Sequence, residues 1–363
     1  MKIAILGAGA MGAALTIPFN ERGQTVALWC TEHDGDIRRA LEAGHAHPKL
    51  DVILPESVRL HPPDRIEEAL AEADLVVLGV STAGVLPVLR QAAPHLPAST
   101  PILTVAKGFV SNNGIADPVP SGVQRELQKL LDESRPSVFS LAGPSIAGEL
   151  ARRQTTAAAV AGEDPGSVEE LCEALATPYF WLDPVHDQLG LEICLSFKNV
   201  YAIPLSWPQG LRGSDNVAAS RNLSAILLLQ AVDELRGLIT ARQGNPDTAN
   251  GWAGLGDLAA TAGGGRNGRF GQLLAEGKSP DEAADALASE GAGTIEGRDA
   301  AACAVDYAVQ TFGSDWANRL PLLHATCQVL EGRQSVREVL GRIDRFREEK
   351  HACRIGADPG ETR

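Results

Sequence analysis

Three glycines at fixed spacing, directly after a short apolar run, constrain this chain more than any other feature. Ile3-Ala4-Ile5-Leu6 leads into Gly7-Ala8-Gly9-Ala10-Met11-Gly12 and then into the helix-forming Ala13-Ala14-Leu15. Between a strand and a helix, the first glycine permits a tight turn, the second lets backbone approach a pyrophosphate, and the third allows close helix–strand packing. The helix start then offers unpaired N–H groups and a positive dipole end to phosphate. The residues predicted to hold a dinucleotide are therefore Gly7, Gly9, Ala10, Met11 and Gly12. The stretch from Ile3 to Asn20 carries no charge and resembles the apolar core of a secretory signal, but a signal has no use for glycines at set positions.

Glu32 stands twenty residues beyond Gly12, just past a second β-like run, Thr25 to Trp29. A carboxylate there can accept a hydrogen bond from the adenosine ribose, which favours NAD over NADP. Asp34 and Asp36 are nearby alternatives, an exposed loop carboxylate explains Glu32 almost as well, and no arginine directly follows Trp29. The cofactor is expected to be NAD or NADP, with NAD favoured.

The first half continues to alternate short apolar runs with helical stretches, the pattern of βαβ units and a parallel sheet. Leu75–Val80, Ile102–Val105, Val138–Leu141 and Ala157–Val160 read as strands, Phe180 and Trp181 as a closing one, and Ile66–Ala73 and Ser167–Leu175 as helices. The uncharged run Leu75–Leu89 is interrupted by Gly79, Ser81, Thr82, Gly84 and Pro87, so it reads as strand, loop and helix start. After Pro184 strand signals stop, and apolar residues recur at helical spacing through Ala225–Leu238, Phe270–Ala275 and Pro280–Leu287. At 363 residues the chain exceeds the size of one core, roughly 250–300 residues. The expected fold is α/β: a Rossmann-type parallel-sheet domain over residues 1–184, an all-α domain over 185–345, and a charged, poorly ordered tail over 346–363.

Charge narrows the partners. Acidic residues outnumber basic ones by 46 to 32, so the net charge of -14 disfavours nucleic acid and anionic membrane surfaces, and an anionic substrate must meet locally placed cations. Six scattered cysteines form no CxxC pair, which suggests neither a metal site nor a disulfide framework and fits a reducing cytoplasm.

When a ketone accepts hydride from a nicotinamide, negative charge builds on its oxygen, and the site needs a proton donor or fixed cation there. Lys198 lies inside the apolar helical stretch Leu191–Ile203, where desolvation would lower its pKa. Taken alone it also fits a lysine snorkelling from a surface helix. A second segment, Gly254 to Asn267, joins Asp257 to the glycine-rich Gly263-Gly264-Gly265, followed by Arg266 and Asn267. A guanidinium and an amide on a loop of glycines suit a phosphate, while a flexible surface loop remains the plainer reading of three glycines.

These residues together resemble the NAD(P)-dependent glycerol-3-phosphate dehydrogenase family. The likeness spans about residues 1 to 340 and rests on the glycine turn with Trp29, on Ala106-Lys107-Gly108, on Gly143-Pro144-Ser145-Ile146-Ala147-Gly148-Glu149, on Lys198-Asn199-Val200, on Gly254-Leu255-Gly256-Asp257-Leu258, on Gly265-Arg266-Asn267 and on Glu296-Gly297. It implies interconversion of dihydroxyacetone phosphate and sn-glycerol 3-phosphate, with Lys198 as general acid/base, Asp257 beside it and Lys107 anchoring substrate and cofactor. It further implies substrate contacts from Gly143, Ser145, Thr261, Gly265, Arg266 and Asn267, and cofactor contacts from Lys107, Ala147, Arg266 and Glu296, in a homodimer. The chain departs from the family pattern between Gly210 and Leu223, where an Asn is usually followed two residues later by Arg or Lys. Here Asn216 is followed by Ala218 and Asn222 by Ser224. Trp207, Pro208 and Arg212 are candidates for reshaping the pocket. The alternatives are a related reductase of another small phosphorylated ketone or 2-keto acid, since guanidinium binds carboxylate as well as phosphate, and a dinucleotide sensor without catalysis.

Overall fold

The computed structural model describes residues 1–97, 99–112, 115–131, 136–211, 220–262, 264–291 and 293–341. The strands are β1 (Lys2–Leu6), β2 (Thr25–Trp29), β3 (Arg59–His61), β4 (Leu75–Leu78), β5 (Ile102–Thr104), β6 (Phe109–Asn112), β7 (Ile115–Pro118), β8 (Val138–Ala142), β9 (Thr156–Ala161) and β10 (Phe180–Pro184). Eight of them form one sheet in the order β10-β9-β8-β5-β4-β1-β2-β3, while β6 and β7 make a separate antiparallel hairpin. The order reverses beside β1, which pairs with β2 on one side and β4 on the other. That reversal opens a crevice beyond the carboxyl end of β1, the place where open α/β sheets hold ligands.

Helices α1 (Ala10–Glu21), α2 (Gly35–Glu42), α3 (Ile66–Leu70), α4 (Thr82–Ala92), α5 (Val119–Leu130), α6 (Ala147–Ala151) and α7 (Pro165–Leu175) complete this half. Alternation along the strands sorts the core into two layers. Ile3, Ile5, Val26, Leu28 and Val77 pack with residues of α1 and α7, while Ala4, Leu6, Trp29, Val76 and Leu78 pack with α3, α4 and α5. Both faces are covered, which is why these strands are apolar throughout.

The second half contains α8 (Gln188–Tyr201), α9 (Trp207–Gly210), α10 (Arg221–Ala241), α11 (Asp257–Thr261), α12 (Gly265–Ala275), α13 (Pro280–Ser289), α14 (Glu296–Phe312), α15 (Trp316–Arg319) and α16 (Pro321–Leu330). Their core gathers around α8, from Leu191 to Tyr201, with α10, α12, α14 and α16. Among the described residues no helix is long and apolar enough to cross a membrane.

The parallel-sheet domain followed by a helical one agrees with the sequence expectation. Three features differ. β3 escaped notice because Arg59-Leu60-His61 is too short and polar to read as a strand. The β6–β7 hairpin was not anticipated, and β9 runs antiparallel to β8, since composition carries no strand direction. The expected flexible tail, residues 346–363, lies outside the described residues. At the junction of the halves, β10 ends at Pro184 and Asp187 caps α8 by accepting from Gly190 N–H at 3.1 Å.

One buried carboxylate ties the helical half together. Glu234 of α10 accepts from Tyr201 Oη of α8 at 2.8 Å, from the main-chain N–H of Leu322 and Leu323 at the start of α16, and from Gln230 Nε2 at 2.9 Å. Burial nevertheless pushes its carboxyl up to about 7 from 4.5. Since the folded value exceeds the unfolded one, stability from this group is complete below the unfolded value and is lost as pH rises through the folded value. Urea unfolding between about pH 5 and about pH 8 should therefore show the wild type losing stability with pH more steeply than Glu234→Gln, by up to about 3 kcal/mol over the window. Parallel pH dependences would show that Glu234 does not titrate in this window.

Candidate active site

At the end of β1 the chain turns at Gly7, whose φ of +111° disfavours any side chain; a Cβ there would also lie 2.5 Å from Val80 Cγ1. A Cβ on Gly12 would sit 2.1 Å from Gly7 O, so this glycine is needed for the turn to lie against α1. Gly9 differs: a Cβ there would meet only Gly79 O at 3.8 Å, so no crowding from the protein itself requires glycine at that position. The amides of Gly9, Ala10, Met11 and Gly12 have no hydrogen-bond partner among the described residues. Four open N–H groups at a helix start are a cradle for a pyrophosphate.

Of the three carboxylates considered for the ribose, Glu32 is exposed just beyond β2, and Asp36 is exposed and paired with Arg39. Asp34 is turned inward, and its Oδ2 accepts from Ala8 N at 3.2 Å, Thr31 N at 2.9 Å and Thr31 Oγ1 at 2.8 Å. It braces the turn through that oxygen.

Three charged side chains from separate elements meet across the cleft. Lys107 comes from the loop after β5, Lys198 from the last turns of α8, and Asp257 from the first turn of α11, directly after a π-helical turn over Trp252–Gly256. Asp257 Oδ1 lies 3.6 Å from Lys198 Nζ, and its Oδ2 accepts from Lys107 Nζ, which also donates to Gly143 O at 2.9 Å. The side chains are 13 %, 14 % and 3 % exposed for Lys198, Lys107 and Asp257. Burial pulls the Lys198 ammonium below its ordinary pKa, Asp257 pulls it up, and Lys107 pushes it down again. Such a lysine can give and take a proton closer to neutral pH than a solvated one.

The remaining predicted residues surround this trio. Ser145 is buried and donates to Gly143 O at 3.1 Å, so it supports the same carbonyl that Lys107 uses. Thr261 donates to Asp257 O at 2.7 Å. Ala147 begins α6, which packs on α1. Gly265 starts α12 with φ +67°, and Arg266 is exposed on its first turn, next to Gly293. Asn267 is buried: its Nδ2 donates to Asn199 Oδ1 at 3.1 Å and its Oδ1 accepts from Gly297 N at 2.9 Å. Among the described residues its second amide hydrogen has no acceptor. Glu296 opens α14 and accepts from Asn199 Nδ2 at 2.9 Å. Trp207 and Pro208 are buried, Trp207 within the helical core; Arg212, Asn216, Ala218 and Gly263 lie outside the described residues.

With this geometry in place, comparisons with known proteins decide the family. Residues 2–168 match the family profile for the NAD-dependent glycerol-3-phosphate dehydrogenase N-terminus, and residues 187–341 match that for its C-terminus. An NADP(+)-dependent glycerol-3-phosphate dehydrogenase of Archaeoglobus fulgidus is 38% identical over 297 residues, covering 82% of this chain and 87% of the relative. A glycerol-3-phosphate dehydrogenase [NAD(P)+] of Neisseria gonorrhoeae is 33% identical over 305 residues, with 82% and 87% covered. The crystal structure of glycerol-3-phosphate dehydrogenase from Coxiella burnetii superposes with a TM-score of 0.80 at 26% identity, over 94% of this chain and 98% of that one. The chain belongs to the NAD-dependent glycerol-3-phosphate dehydrogenase family, a family of oxidoreductases.

Within this dehydrogenase family member, several contacts that hold the trio were not foreseen. Ser196 Oγ donates to Gly108 O at 3.0 Å, Asn199 Nδ2 donates to Lys107 O at 3.0 Å, and the Phe197 ring meets Phe109 edge-on at 5.2 Å. The residues flanking one lysine thus grip the residues flanking the other. A signal existed: Glu192, Ser196 and Asn199 recur at positions i, i+4 and i+7 of an otherwise apolar helix, a polar stripe on one face. Glu192 accepts from Ser121 of α5 and from Gln188 Nε2, completing the seam.

Removing the shared carboxylate should leave two nearly buried ammonium groups facing each other. Asp257→Asn is expected to destabilise the dehydrogenase by about 3–5 kcal/mol in urea unfolding, the usual penalty for breaking a buried pair. Adding Lys107→Met should recover part of that loss by removing the repulsion; an unchanged or larger deficit in the double variant would show that Asp257 does not neutralise Lys107.

Proposed function

We propose that this dehydrogenase interconverts dihydroxyacetone phosphate and sn-glycerol 3-phosphate, with Lys198 as general acid and base. The observation that supports it best is the convergence of Lys198 and Lys107 on Asp257, with all three side chains nearly buried. The glycine turn, with four open amides and a helix N-terminus, fits the pyrophosphate of NAD or NADP. When bound, the nicotinamide supplies or accepts the hydride at the substrate's C2.

Lys198 hands a proton to the C2 oxygen as the ketone is reduced and takes it back as the alcohol is oxidised. Its lowered affinity for that proton, caused first by burial, matches both directions. Lys107 adds a second positive charge where the oxyanion develops, and Asp257 holds both ammonium groups in place. Arg266 and Asn267, on the first turn of α12, bind the substrate phosphate, the guanidinium from the open side and the amide from beneath. Glu32 favours NAD, because the carboxylate can accept from a ribose hydroxyl and repels a 2′-phosphate. The Archaeoglobus fulgidus relative is named for NADP(+), so the two cofactors need direct comparison. The protein is proposed to act as a cytoplasmic homodimer, which sedimentation of the purified chain would test.

Turnover of dihydroxyacetone phosphate, dihydroxyacetone and ketopantoate, each with NADH and NADPH, tests the substrate reading. Dihydroxyacetone phosphate with NADH is expected to be the fastest pair, and activity confined to the nonphosphorylated acid would refute it. Lys198→Ala should lower kcat by about 10²–10⁴ with little change in cofactor affinity. Arg266→Ala should chiefly raise KM for the phosphorylated substrate; an equal loss with dihydroxyacetone would separate Arg266 from phosphate recognition.

A further inference from the structure

We propose that His47, in the loop between α2 and β3, is a positioning residue that aims the Gly9 amide at the dinucleotide. The proposal rests on the reading that the glycine turn holds the cofactor pyrophosphate.

His47 is fully buried, and its Nε2 lies 2.9 Å from Ala8 O, inside the Gly7–Gly12 turn. The neighbouring contact fixes the roles of its two nitrogens. Lys49 N–H donates to His47 Nδ1 at 3.1 Å, so Nδ1 accepts and Nε2 carries the hydrogen that goes to Ala8 O. The histidine is itself held by its own loop: its N–H donates to Val52 O at 2.9 Å, and its carbonyl accepts from Leu50 N at 3.0 Å and Asp51 N at 2.8 Å. Arg152, just after α6, donates to Leu50 O at 2.8 Å and pins this loop to the Rossmann domain.

Ala8 is therefore clamped from two sides, with its N–H on Asp34 Oδ2 and its C=O on His47 Nε2. The peptide joining Ala8 to Gly9 is trans, so its C=O and N–H point in opposite directions. Holding the carbonyl inward on His47 turns the Gly9 N–H outward. That amide is one of the four with no partner among the described residues, and Gly9 is the glycine of the turn that the protein's own packing does not demand. Two groups at the start of the turn are committed as well: Gly7 N–H donates to Trp29 O at 2.9 Å, and Gly7 O rests against Gly12. Without the imidazole, the Ala8–Gly9 peptide would be the one free to rotate, and the amide aimed at phosphate would lose its fixed direction.

The test uses the full-length protein and measures NADH and NADPH dissociation constants by nicotinamide fluorescence, alongside steady-state kinetics. His47→Ala should weaken binding of the better cofactor by about tenfold, the size of one lost buried hydrogen bond. The loss should appear in cofactor KM more than in kcat. His47→Gln, which keeps an N–H at similar reach, should return to within about threefold of wild type, whereas His47→Met, of similar size without a donor, should match the alanine variant. Should the alanine variant fail to fold, the glutamine and methionine pair reads the same question. Equal cofactor affinity in Gln and Met variants would overturn the proposal, as would wild-type affinity in His47→Ala. Wild-type protein that binds neither NADH nor NADPH would instead overturn the dinucleotide reading on which it rests.

Discussion

One carboxylate holds two ammonium groups that arrive from different halves of the molecule, and the site depends on that contact. Lys107 follows a sheet strand, Lys198 belongs to the central helix of the second half, and Asp257 bridges them from a third element. Nearly buried charges of one sign repel strongly, so neither lysine could sit here without the other's counter-ion. The carboxylate therefore has a structural and an electrostatic role at once. Its Oδ2 accepts from Lys107, and its Oδ1, near Lys198, opposes part of the downward pull that burial exerts on the Lys198 ammonium. Burial is the first cause of the lowered Lys198 pKa.

The glycine turn shows a similar division between what the protein needs and what a ligand needs. Gly7 and Gly12 are required by contacts within the chain, one by its backbone angle and by Val80, the other by the carbonyl it would strike. Gly9 is required by neither. Position by position, the geometry separates two glycines of the fold from one that faces outward, a distinction the bare spacing of the motif does not contain.

Much of this organisation was legible in the chain, and the reasons for the rest are physical. The glycine turn, the alternating apolar runs and the change to helical spacing after Pro184 each reflect local periodicity, which sequence carries directly. Lys198 stood out because a charge in an apolar stretch is rare. Lys107 and Glu296 did not stand out by themselves and came only through resemblance, since each is an ordinary charged residue until the fold brings it to the cleft. The bracing role of Asp34 was hidden for a related reason: its position after β2 suits a ribose contact, and only the fold shows its Oδ2 accepting from Thr31 and Ala8. His47 gave no signal at all, because its partner lies thirty-nine residues away and His47 itself sits in a loop without regular structure.

The seam between the halves explains how a lysine from a helix can be held against a lysine from a loop. Two hydrogen bonds fix the backbone of Lys107 and Gly108, and both come from residues within two positions of Lys198. Phe197 and Phe109 add an edge-on ring contact, with Tyr307 of α14 within 5.9 Å of both ring centroids. Hydrogen bonds set direction and the aromatic cluster sets separation, because close-packed rings resist compression while unsatisfied buried carbonyls resist being pulled away. Each lysine's main chain is thereby referenced to the other's. The two ammonium groups then need to find Asp257 only through side-chain rotamers, which is a far smaller search than aligning two domains.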